Sequence, residues 1–97
     1  MNIDRIEIAA RAARREHGGD YIAGWYAVRD TVQPMLEQEG VARNDARHVA
    51  TWYAHAVYEF PGWESTWRAA RALLEAVDPD AKWERAADIA ESHGLND

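Results

Sequence analysis

Five tryptophans (Trp25, Trp52, Trp63, Trp67 and Trp83) among 97 residues constrain this chain more than any other feature. Four tyrosines and one phenylalanine join them, and the other apolar positions are mostly alanine, 19 in all, with a thin supply of Ile, Leu and Val. Helices surfaced with alanine approach closely but bury little area, whereas one buried aromatic removes roughly 150–250 Å² from water. The expected core is therefore a set of aromatic wedges between alanine-faced helices. Trp25, Trp67 and Trp83 stand at the centres of their apolar stripes and are expected to be mostly buried.

No stretch alternates as a strand would, and apolar residues recur at helical spacing almost throughout. Asn2 reads as the cap of a first helix over Ile3 to His17, with Ile3, Ile6, Ala10 and Ala13 inward and Gly18-Gly19 as its stop. Ile8 falls off that stripe. Asp20 caps a second helix whose stripe is Tyr21, Trp25, Val28, Val32, Met35 and Leu36. Pro34 predicts a kink near Thr31–Gln33 or a separate short helix, since proline removes an amide and crowds the preceding turn. A third helix is expected after Asn44, to about Phe60, with Ala46, Val49, Ala50, Tyr53, Val57 and Phe60 inward. Pro61-Gly62 ends it. The fourth runs from about Trp63 to Val77 with Trp63, Trp67, Ala70, Leu73, Leu74 and Val77 inward. Asp78-Pro79 then opens a fifth to about His93, burying Trp83, Ala86, Ile89 and Ala90, with Gly94-Leu95 as its stop. The expectation is one all-α domain over residues 1–97, a compact bundle of about five helices (four to six) with no sheet.

Gly19-Asp20-Tyr21 followed by Pro34, and Val77-Asp78-Pro79 followed by Trp83, resemble the turns of tetratricopeptide repeats. The spacings are about two residues short and no period of about 34 residues persists. They imply two helical hairpins built with common turn chemistry.

The net charge of −6 argues against broad affinity for nucleic acid, which draws on a positive patch. The charge is uneven: Arg5, Arg11, Arg14 and Arg15 cluster at the start, while residues 78–97 sum to −4. That asymmetry predicts the first helix lying against the last. The absence of cysteine excludes disulfides and thiolate metal sites. No apolar run approaches the roughly 20 residues of a membrane span, and the charged N-terminus does not read as a secretory leader. The location expected by default is cytoplasmic, with no membrane partner.

Few residues point to chemistry. Asp45, His48, His55 and Glu59 share the polar face of the third helix, and Asp45/His48 and His55/Glu59 have spacings that bring side chains together. Each pair offers two ligands where a tight metal site needs three or four, so the ordinary reading is two solvated ion pairs. A small enzyme or metal protein would have to use these groups. Neither serine sits in a nucleophile turn, and no glycine-rich phosphate loop is present. No catalytic residue, cofactor or metal is therefore assigned.

A helix-turn-helix is the alternative to a binding module, with Gly40-Val41 as the turn and Arg43 and Arg47 reaching DNA. Glu39 and Leu36 stand where such motifs usually place an apolar and a small residue. Aromatics also anchor protein interfaces, and more of them are present than one small core readily hides. Tyr26 and Tyr58 lie off their stripes, Trp52 at the edge of its own, and Trp63 after a Pro-Gly turn. The expected function is non-catalytic binding of another protein, or of a second copy, through Trp52, Tyr58, Trp63 and Tyr26, with His48, His55 and Glu59 around them. A small acidic chain of this kind suits a stoichiometric inhibitor or accessory factor, such as those by which phages and mobile elements block host defences.

Overall fold

The computed structural model describes residues 1–80. Four α-helices make up 79% of them, with no strand: α1 Ile3–His17, α2 Tyr21–Gln38, α3 Arg43–Val57 and α4 Trp63–Val77. The fifth helix expected after Asp78-Pro79, its buried Trp83 and its packing on α1 lie outside the described residues.

Local chemistry accounts for most of the boundaries. Asn2 Oδ1 accepts the Arg5 amide and Asp20 Oδ1 accepts the Ala23 amide, so both expected caps form. Gly18 and Gly40 take positive φ at the ends of α1 and α2. At Gly40 the turn closes with two bonds, from Gly40 N to the Glu37 carbonyl and from Val41 N to the Leu36 carbonyl, and Val41 is buried. That burial fixes the entry to α3, which starts at Arg43 with Ala42, not Asn44, at its cap and no side chain bonded there. Pro34 does not split α2, which is continuous from Tyr21 to Gln38. Pro34 and Asp30, whose carbonyl loses its amide partner, are both exposed, so water can serve that carbonyl.

The connections at 18–20, 39–42 and 58–62 are short and fold each helix onto its predecessor. α3 is central: it packs on α2, α4 and α1. The aliphatic core consists of Ile3, Ile6, Val28, Val32, Leu36, Val41, Val49, Val57 and Leu74 with alanines from α1, α3 and α4 between them. Burying each larger aliphatic contributes about 1.5–3 kcal/mol.

The aromatic wedges are tyrosines. Tyr53 is fully buried, edge-on to Trp67 at 5.2 Å, and Tyr58 is buried as well. Trp25, Trp52 and Trp67 pack against the core from its margin and stay partly exposed, as does Trp63. Tyr21, expected inward, is 58% exposed. The N-terminal ammonium stands 3.0 Å from Asp78 Oδ2 and holds that carboxyl below its ordinary range. Asp78 Oδ1 also accepts the Asp80 amide.

Candidate functional site

One glycine shapes the most open part of the surface. Gly24 is buried inside α2, and its missing side chain leaves the space that the Tyr58 hydroxyl enters from the end of α3. Tyr58 is thus anchored beneath the surface, correcting its expected place among the outward contacts. Its ring stacks on Phe60 at 5.8 Å and meets Tyr21 edge-on at 5.6 Å, with the Arg14 guanidinium 5.4 Å from its centre.

The chain turns sharply just beyond Tyr58. Glu59 N–H donates to the Ala56 carbonyl and Phe60 N–H to the His55 carbonyl, with Glu59 at φ 52 in the left-handed region. This is the arrangement found at Gly40, made here by a residue with a side chain. It sets Phe60 beside His55, edge-on at 5.2 Å. It also takes Glu59 off the helix, so the four-residue pairing expected between His55 and Glu59 is not made, and among the described residues no ion pair joins Asp45 to His48.

Tyr21, Ile22, Trp25 and Tyr26 from the start of α2 and His55 and Phe60 from the end of α3 line an open, mostly apolar groove of about 500 Å³. Ile22 is 76% and Tyr26 49% exposed. Trp25 meets Tyr26 edge-on at 5.2 Å. Arg29, one turn on, lies over both rings at 5.7 and 4.9 Å and bonds Asp30 at 3.1 Å. Its packing pins the wall of the groove.

The other expected contact residues lie elsewhere. His48 stacks on the partly buried Trp52 at 5.9 Å. Trp63 and Glu59 border a separate polar cleft with Pro61, Gly62, Glu64, Ser65 and Arg68. Arg43 and Arg47 are exposed at the start of α3. Of the seven expected contacts, Tyr26 and His55 share the groove. The apolar stripes predict Tyr21, Trp25 and Phe60 in the core, and Ile22 carries no signal beyond its place one residue from the stripe.

A buried polar cluster lies where the sequence predicts a solvent-facing surface. Asp4 and Glu7 on α1 are buried, and Glu7 is bonded by Arg11 at 3.2 Å. Burial pushes the Glu7 carboxyl above its ordinary range, with Arg11 opposing, Asp4 adding to the rise and Arg71 opposing. Tyr53 is pushed above its ordinary range by the same burial, with Glu7 and Asp4 adding and Arg71 opposing. The three-residue spacing of Asp4 and Glu7 beside Ile3, Ile6 and Ala10 was the available signal, but acidic side chains read as solvent-facing. Among the described residues no three His, Asp or Glu side chains converge to hold a metal, and no helix is long and apolar enough to cross a membrane.

Compared with known protein families, characterised proteins and solved structures, the chain matches none.

Proposed function

We propose that this chain is a non-catalytic protein-binding domain whose contact surface is the groove between the start of α2 and the end of α3. The observation that carries the reading is the exposure of Tyr21, Ile22 and Tyr26 around one aromatic-lined depression. Scattered exposed apolar residues are ordinary, but contiguous ones with aromatic anchors mark interaction sites. Tyrosine and tryptophan offer large apolar area with few torsions to immobilise, and each carries a donor at its edge. Buried Tyr58 beneath the groove and Arg29 against its wall hold the rings in place before any partner arrives. Acting by occupancy, such a domain suits a stoichiometric inhibitor or accessory factor.

The test is a photo-crosslinking residue at position 22, expressed in the native host, followed by binding measurements on the captured protein with purified components. Ile22→Ser and Tyr26→Ala should each weaken that binding by about tenfold or more while leaving the melting temperature near the parent's. Undiminished affinity in both variants would remove the groove as the interface.

A further inference from the structure

We propose that the groove takes a cationic amphipathic segment, a peptide or helix with apolar anchors on one side and arginine or lysine on the other. This rests on the protein-binding reading of the same groove and adds the chemistry of the partner.

The inference comes from the charge around the apolar lining. On α2 the exposed residues Ile22, Tyr26 and Asp30 follow one another at four-residue spacing, so the apolar line ends in a carboxylate. The Asp30 side chain is 65% exposed. Asp20, also exposed, immediately precedes Tyr21. The cation of this stretch, Arg29, already pairs with Asp30 and lies over Trp25 and Tyr26. Residues 19–40 sum to −3 and the whole chain to −6. An apolar floor with an acidic rim complements an apolar segment with a basic flank.

Two further points favour this occupant. Arg29 shows that the rings of Trp25 and Tyr26 accept a guanidinium, and cation–π contact is one way an incoming arginine or lysine is held. A second copy of the chain would bring one −6 surface to another, which long-range repulsion opposes. Opposite charge speeds encounter and selects among partners that share the same apolar face.

Three fluorescent helical peptides with one leucine–tryptophan face test this, their polar faces being all Lys/Arg, all Gln or all Glu. Each is titrated against the full chain by anisotropy at low and moderate salt. The cationic peptide should bind about tenfold more tightly than the neutral one and weaken as salt rises. Ile22→Ser and Tyr26→Ala should cost it about tenfold. Asp30→Asn, and Asp20→Asn, which preserves the helix cap, should each cost it about threefold, the order expected of a rim charge. Equal binding of neutral and cationic peptides, lost in the groove variants, overturns the charge assignment and leaves the groove standing as an interface. Cationic binding that survives Ile22→Ser and Tyr26→Ala overturns the inference as diffuse attraction to an acidic chain. Light scattering showing a dimer that Ile22→Ser dissociates assigns the groove to a second copy instead. No binding by any peptide, together with no capture from position 22, fails the protein-binding reading itself.

Discussion

At Gly24 the missing side chain decides how α2 and α3 meet. In an exposed helix interior Gly→Ala gains about 1 kcal/mol from backbone entropy. Here the added Cβ would overlap the Tyr58 hydroxyl and stand 2.6 Å from Cζ of a ring held among Tyr21, Phe60 and Arg14. Gly24→Ala should therefore destabilise, by about 1–3 kcal/mol as overpacked cores do. Adding Tyr58→Phe should recover part of the loss, a non-additivity that denaturant unfolding of the four proteins in the cycle measures. Tyr53 is the opposite case, a ring that fits with a hydroxyl that does not. Its oxygen is buried and has no hydrogen-bond partner among the described residues. Leaving such a group unsatisfied costs about 1–3 kcal/mol, whereas the ring itself packs edge-on against Trp67. Tyr53→Phe should thus be neutral or stabilising by up to about 1 kcal/mol in the same unfolding assay. A clear loss would mean that the hydroxyl is bonded in solution.

The helices were legible in the sequence where an end depends on its own residues. Asn2, Asp20, Gly18 and Gly40 act as their chemistry demands, and the bounds of α1 and α4 follow the apolar stripes. Where an end depends on a neighbour, local sequence alone does not place it. α3 begins two residues before the position expected from a cap at Asn44, because buried Val41 at the close of α2 sets the chain direction through Ala42. Ala42 already has extended backbone and its carbonyl accepts the Ala46 amide, so only a side-chain acceptor is lacking. Ala42→Asp should supply one and stabilise by about 1 kcal/mol, read from the denaturation midpoint. The two equivalent turns at Gly40 and Glu59 offer an internal comparison. Both close with the same pair of backbone bonds, yet only one has glycine at the left-handed position. A residue with a Cβ is disfavoured there by about 1–2 kcal/mol, so Glu59→Gly should raise stability by about 1 kcal/mol, less the flexibility it gives the unfolded chain. If it lowers the melting temperature, the Glu59 side chain is stabilising the turn in a way its backbone does not reveal.

Across the whole molecule, the all-α class was legible because helical periodicity is a local property, whereas the groove was not, because it belongs to two helix ends at once. Periodicity put Tyr21 and Trp25 inward and Tyr58 outward. Gly24 and Tyr58 reversed the two tyrosines by letting α3 press into α2. The same limit hid the acids of α1: Glu7 is polar by type, but α1 turns it toward Tyr53 of α3 and Arg71 of α4. That placement gives the fold a pH dependence of definite sign. Burial raises the Glu7 pKa above its ordinary 4.5, against the pull of Arg11 and Arg71 and with Asp4 reinforcing the rise. The folded state therefore holds the Glu7 proton more tightly than the unfolded chain does. Its contribution to stability is full below about pH 4.5 and declines as pH rises through the folded-state value. Asp78 works in the other direction, since its lowered pKa gives stability that is present above about pH 3.8 and lost in more acidic solution. Glu7→Gln keeps the shape of the protonated acid and removes its titration. Measured by urea unfolding at a series of pH values, the variant should be close to the parent near pH 4. It should gain on the parent steadily from pH 4.5 toward neutrality, as Glu7 in the parent is forced to ionise inside the bundle. A difference that stays flat, or that turns against the variant as pH rises, would mean that the Arg11 bond outweighs desolvation and that Glu7 is ionised in the fold at no net cost.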